Sequence, residues 1–224
     1  MKLSKVSIKR PILLLFAIAC LIPAMPAAAG PEKPSRAEAL AALKKSDPEA
    51  RRRGAFALAT AGRMSDTPEL TAALRDDDEL VRTIAEQALW EVWSRSGDAR
   101  VDDLLGQGVA QMSARRFPEA IATFTRVVES KPDFAEGWNK RATAYFLAGE
   151  YRRSLRDCDE VIKRNPQHFG ALSGYGQIHL KLGRLEKALE YFRRALAVNP
   201  NLEGVQALVE ELEARRAARL RKTI

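Results

Sequence analysis

The sequence predicts an all-α protein, a right-handed α-solenoid of helix pairs, and three observations carry that reading. Columns of related residues recur every 34 positions in the second half: Pro132, Pro166 and Pro200; Phe117, Tyr151 and Leu185; Ala120, Ser154 and Ala188; Phe124, Cys158 and Phe192; Gly108, Ala142 and Gly176. A second, slightly shorter period, recurring every 31 positions, links Leu43 to Leu74, Asp47 to Asp78, Arg51 to Arg82, Ala57 to Ala88 and Leu58 to Leu89. Within each repeat the apolar residues fall at helical spacing, in two stretches separated by turn residues. A helix pair of this size cannot bury its apolar face alone, so stacking on its neighbours is the physical solution.

The first thirty residues are a different object. Lys2, Lys5, Lys9 and Arg10 precede the apolar run from Ile12 to Ile22, which is too short to span a bilayer, and Ala27, Ala28 and Ala29 supply small residues for cleavage. Residues 1–29 are therefore expected to be a signal peptide cut near Ala29, with export to the periplasm. Small residues before Cys20 give the alternative of a lipid anchor at that cysteine. Cleavage would leave Cys158 alone, and a chain of this length can bury enough core to need no disulfide.

Residues 30–97 hold the two copies of the shorter repeat. SRAEALAALKK opens on a capping box, Ser35 with Glu38, and continues into PEARRRGAFALATAG; TPELTAALR, with Pro68 in a first helical turn, continues into ELVRTIAEQALWEVW. An acidic cap at the turn and an arginine four residues later resemble short HEAT-like repeats. Trp90 and Trp93 share a helix face and are expected to pack on the neighbouring repeat, in one continuous superhelix with a soft junction near Gly97.

Residues 98–202 hold three copies of the longer unit, about 101–134, 135–168 and 169–202. Trp138, Ala142 and Tyr145 in the middle copy, small residues where paired helices would cross, and proline ending each unit resemble the tetratricopeptide repeat. That resemblance places helices at about 102–114 and 117–130, 134–147 and 151–164, then 168–181 and 185–197. Residues 203–224 are expected to form a helix that caps the stack and ends in a basic tail.

Composition narrows the function. With 46% hydrophobic and 29% charged residues the chain has the balance of a folded soluble protein. Its formal charge of +8 is concentrated at the ends, four basic residues before Ala29 and five at Arg215, Arg216, Arg219, Arg221 and Lys222. The body is close to neutral, which argues against nucleic acid as a partner; the tail, with Leu212 and Leu220, gives the alternative of an accessory protein on an anionic membrane surface.

Catalytic or metal chemistry finds no constellation: there is no phosphate-binding glycine loop, HExxH or CxxC, and the histidines are only His168 and His179. No cofactor or metal is expected. His179 reads as a packed ring, Cys158 as a small core residue between two aspartates, and the acidic run Asp76 to Glu79 as a solvated, helix-capping turn.

The remaining question is posed by HFGALSGYGQIHL, residues 168–180, whose three glycines each cost a helix about 1 kcal/mol against alanine. Gly176 falls in the helix-crossing column with Gly108 and Ala142. Gly170 and Gly174 share another face with Ser173 and Gln177, and the matching face of the middle repeat carries Glu136, Asn139, Lys140 and Thr143. In the tetratricopeptide family this face lines the concave groove that receives a partner. The resemblance therefore implies a non-catalytic scaffold that holds a peptide or protein segment with Asn139, Lys140, Thr143, Gly170, Ser173, Gly174 and Gln177, Asn139 and Gln177 clamping its peptide groups. Leu105, Val109, Gly170 and Gly174, with Lys140 as the main cation, depart from the lysine, asparagine and arginine set of members that grip chaperone C-termini.

Overall fold

A computed structural model describes residues 34–221; the expected signal segment, Cys20 and Lys222 lie outside them. The described residues form helices and turns with no strand: α1 (Arg36–Ala42), α2 (Pro48–Ala61), α3 (Thr67–Ala73), α4 (Glu79–Trp93), α5 (Ala99–Ser113), α6 (Phe117–Ser130), α7 (Ala135–Leu147), α8 (Tyr151–Arg164), α9 (Phe169–Lys181), α10 (Leu185–Val198) and α11 (Glu203–Arg221). Both periods are visible in the element starts: α3 and α4 begin one shorter period after α1 and α2, and α6, α8 and α10 follow one another at the longer period. The expected fold class, an α-solenoid of helix pairs, is the one observed.

Local chemistry explains where the helices begin. Ser35 and Glu38 form the expected reciprocal box, the Ser35 N–H donating to Glu38 at 2.8 Å and the Glu38 N–H to Ser35 at 3.3 Å. Asp47 accepts from the Glu49 and Ala50 N–H groups, and Asp78 from the Val81 N–H. Asp98 accepts from the Arg100 N–H at 2.9 Å, which starts α5 slightly before the expected position. Each such cap satisfies N–H groups that the helix itself leaves open.

The acidic turn from Asp76 is less solvated than expected. Arg51 clasps Asp76 through Nε and Nη2, both at 2.7 Å, and also pairs with Asp77, while Arg52 pairs with Asp78. Of the three aspartates only Asp77 is largely exposed. The remaining nitrogen of the fork, Arg51 Nη1, donates to the carbonyls of Lys45 and Ser46; in the next copy of the repeat Arg82 Nη1 donates in the same way to those of Asp76 and Asp77. The arginine column thus stitches each turn shut, and Arg51 also binds the helix pair that follows.

The junction differs from expectation. Ser96 and Gly97 make a tight connection rather than a soft one: Gly97 has a φ of +78°, the Ser96 N–H donates to Asp102 at 2.8 Å, and the Asp98 N–H donates to Ser96 Oγ at 3.1 Å. This turn breaks the stack, so α4 is not packed along α5. It lies instead over the start of α9 and the end of α10. Trp93 stacks on His168 with ring centroids 4.5 Å apart, and Trp90 and Trp93 both meet Phe169, so the neighbour of the two tryptophans is the third unit of the longer repeat, far along the chain. Phe169 belongs to the same buried cluster as Leu70, Leu74, Leu89 and Val92.

Polar contacts fix the same docking. Arg75 donates to the carbonyls of Ala197 and Val198, Asn201 donates to the Leu74 carbonyl at 2.7 Å, and the buried Asn199 donates to Glu86 at 2.9 Å. Arg75 therefore caps the C-terminus of α10, where open carbonyls and the helix dipole favour a cation. At the other face of α10, α11 buries Val209 and Leu212 against Ala188, Leu189 and Phe192.

Candidate functional site

The inner helices of the three longer units, α5, α7 and α9, carry the candidate site. Of its expected residues, Asn139, Thr143, Gly170, Ser173, Gly174 and Gln177 converge on one cleft of about 200 Å³ between α7 and α9. Lys140 stands beside it and is already engaged, 2.9 Å from Glu136 Oε1 and 5.8 Å from the centre of the Trp90 ring.

Glu136 is fully buried and anchors the network behind the cleft. His168 Nδ1 accepts the Ala171 N–H at 3.1 Å as the N-cap of α9, so its Nε2 carries a proton and donates to Glu136 Oε2 at 2.8 Å. Asn139 Nδ2 donates to the same oxygen at 3.0 Å. Burial pushes the Glu136 carboxyl up, but the hydrogen bond from His168 and the ammonium of Lys140 outweigh it and hold the group at about 2. Asn139 has thus committed an amide hydrogen to its own chain, which leaves Gln177, exposed and unpaired among the described residues, as the freer clamp. Ser173 contributes a buried hydroxyl with no partner among the described residues, and Thr143 donates to the Asn139 carbonyl at 2.9 Å.

The three glycines of α9 now separate by what stands over them. A Cβ on Gly176 would lie 2.6 Å from the Phe192 ring, and one on Gly170 would run into the Trp90 indole. Gly170 is therefore packed under Trp90 rather than presented to a partner, and Trp90 closes that end of the cleft. Gly174 is different: a Cβ there would meet nothing within 4 Å. The same is true of Gly106, and Gly106, Lys140 and Gly174 form one column along the inner helices.

This predicts opposite signs for one substitution. Gly174→Ala should raise the unfolding free energy by about 0.5–1 kcal/mol in urea titrations, because helix propensity improves with no clash, whereas Gly170→Ala should lower it. Equal effects at the two positions would contradict the assignment.

Other expected residues are internal. His179 is buried and stacked with Tyr175 and Tyr191, and burial, then Lys187 and Arg184, shift its pKa downwards. Cys158 is buried, its thiol pushed up to about 12 by burial and by Asp157 and Asp159. Leu212 is packed in the core and cannot face lipid, while Arg215 and Arg216 pair with Glu211 and Glu186. Among the described residues no helix is long and apolar enough to cross a membrane, and no cluster of three or more His, Cys, Asp and Glu is placed to hold a metal.

Comparison with known proteins agrees with the geometry. Residues 105–157 and 141–203 match the tetratricopeptide repeat. A TPR repeat-containing protein of Rhizobium etli is 35% identical over 146 residues, which cover 63% of this chain and 71% of the relative. The chain belongs to the tetratricopeptide repeat family. Within that family it is also 25% identical, over 115 residues, to Hsp70-Hsp90 organizing protein 1 of Glycine max; the match takes in 50% of this chain and only 20% of the plant protein.

Solved tetratricopeptide structures share the fold. The Sgt2 TPR domain from Aspergillus fumigatus superposes with a TM-score of 0.53 at 19% identity, covering 55% of this chain and 83% of that domain. The first TPR of Spaghetti (RPAP3), solved bound to an HSP90 peptide, gives 0.51 at 23% identity, covering 52% of this chain and 93% of that one.

Sequence reasoning missed two features that shape the cleft. The Glu136–His168 pair ties α7 to the N-cap of α9 and is buried, although charge at an inner-helix position had suggested a surface. Trp90 arrives from outside the tetratricopeptide repeats altogether. The spacing of Trp90 and Trp93 announces packing on a neighbouring repeat, but nothing in the sequence ties Trp90 to Gly170.

Proposed function

We propose that the protein is a non-catalytic scaffold of the bacterial cell envelope that holds a segment of a protein partner in the cleft between α7 and α9. The observation that carries this reading is Gly174. A glycine in mid-helix costs stability, those at 170 and 176 are accounted for by Trp90 and Phe192, and the space over 174 is filled by nothing among the described residues. Ser173, Thr143 and Gln177 supply polar atoms around that space.

At about 200 Å³ the cleft is smaller than the ~300–1,000 Å³ typical of small-molecule sites, and it suits a side chain or a short piece of backbone projecting from a larger partner. Its chemistry differs from a carboxylate clamp, because the cation at its edge, Lys140, is already paired with Glu136. The related domain solved with an HSP90 peptide thus supports peptide recognition in general rather than that ligand. The basic segment, apolar run and alanines of residues 1–29 support the envelope location, and the acidic cap and arginine column of the first two helix pairs support a HEAT-like ancestry for that region.

The test is a crosslinking pull-down from intact envelopes with wild type and Gly174→Arg, the variant being matched for helicity. A protein retained by wild type and lost by the variant is the expected result. Equal capture by both would remove the cleft from the account.

A further inference from the structure

The shorter repeat carries an internal template for a second binding surface. In the first copy, Arg51 uses Nη1 on the two carbonyls of its own turn and turns Nε and Nη2 outward, where they clasp Asp76 and reach Asp77 of the following copy. In the second copy, Arg82 uses Nη1 on the equivalent carbonyls, at 2.9 and 3.2 Å, so its guanidinium is held in the same way. No third copy follows, and among the described residues Nε and Nη2 of Arg82 have no partner. They border an open cleft of about 600 Å³ between α4 and the start of α11.

In the repeat register this cleft lies where the next helix pair would begin, a face that the start of α9 and the end of α10 cover only in part. Ala55 of α2 is fully buried; its counterpart is Glu86, and that of Ala59 is Trp90, both lining the cleft. Glu79, Thr83 and Gln87 complete the α4 wall, with Glu203 and Gln206 opposite. A fixed arginine fork among carboxylates fits a partner bearing both signs of charge, as the Arg75–Asp78 turn does.

We propose that the open end of this repeat stack is a docking surface for another protein's helical turn, in which adjacent aspartates, next to a basic residue, are clasped by Arg82 as Asp76 is clasped by Arg51. A planar fork gives a carboxylate two parallel charge-assisted hydrogen bonds, which an ammonium cannot reproduce. A second copy of this chain does not suit, because its own Asp76 and Asp77 are already bound to Arg51. The surface is separate from the α7–α9 cleft, with Trp90 standing between them.

The experiment uses the full chain and a fluorescent peptide copying residues 74–86, LRDDDELVRTIAE, with binding read by anisotropy. Saturable binding is expected. It should weaken by about 10-fold or more when Arg82 becomes Gln, and similarly when the peptide carries Asn for Asp at the positions of Asp76 and Asp77. Arg82→Lys should also weaken it, since charge is kept and the fork is lost. Gln206→Trp fills the opposite wall without touching the Arg82 hydrogen bonds, so its loss of binding would not reflect misfolding. Absence of binding by wild type, or equal binding by all variants or by the Asn peptide, would overturn the proposal. So would equally tight binding of a short peptide that offers only a C-terminal carboxylate.

Discussion

Trp93→Ala is expected to lower the unfolding free energy by about 3–5 kcal/mol, the range for removing a large aromatic from a packed core. Trp93 is only 3% exposed and touches residues from both parts of the chain: it stacks on His168, meets Phe169 with ring centroids 5.0 Å apart, and takes Trp90 edge-on at 5.5 Å. The loss should therefore fall on the joint between α4 and α9 and uncouple the helix pairs before Gly97 from the repeats after it. Urea unfolding followed by circular dichroism should change from one transition to two, the later one reported by the fluorescence of Trp138 in α7. Trp93→Phe is the control. It keeps an aromatic ring and removes an indole N–H that finds no acceptor among the described residues, so it should cost much less. A loss below about 1 kcal/mol for the alanine variant would mean that the two parts are joined by the polar contacts alone.

Glu136→Ala is expected to cost a similar amount, about 3–5 kcal/mol, because it leaves the other members of a buried ionic network without their acceptor. The side chains of Glu136 and His168 are both fully buried, and Lys140 and Asn139 converge on the same carboxylate. Glu136→Gln retains an oxygen for His168 and should recover part of the loss. The pH dependence has a definite sign. The folded carboxyl sits near 2, below its unfolded value of about 4.5, so its contribution is complete above pH 4.5 and disappears as the pH falls towards 2. Acid unfolding of wild type should therefore be steeper in that window than that of Glu136→Gln. Superimposable acid curves would contradict the placement of the charge.

Repetition made most of the fold legible. Whatever recurs with either period is local to a repeat or to adjacent repeats, so helix starts, the Ser35 and Asp78 caps and the seats of Phe124 and Phe192 could be read from columns. Contacts that occur once have no column. Trp90 on Gly170, Arg75 on the end of α10 and Asn199 on Glu86 join segments far apart in the chain, and nothing repeats to announce them. The site shows the same division. Asn139, Thr143, Ser173, Gly174 and Gln177 follow from the register of the inner helices and do share a cleft. Gly170 shares the register and the cleft but lies against Trp90, because its environment is decided by a helix outside the tetratricopeptide units.

The central claim is that the space over Gly174 is kept for a partner rather than left by chance. A photo-crosslinking side chain placed at position 174 of the full chain, and at exposed Glu119 on α6 for comparison, tests it in intact cells that produce the protein. The account predicts a discrete protein adduct at 174, suppressed by Gln177→Arg in the same cleft and absent at 119. No adduct at 174, or the same adducts at both positions, would contradict it.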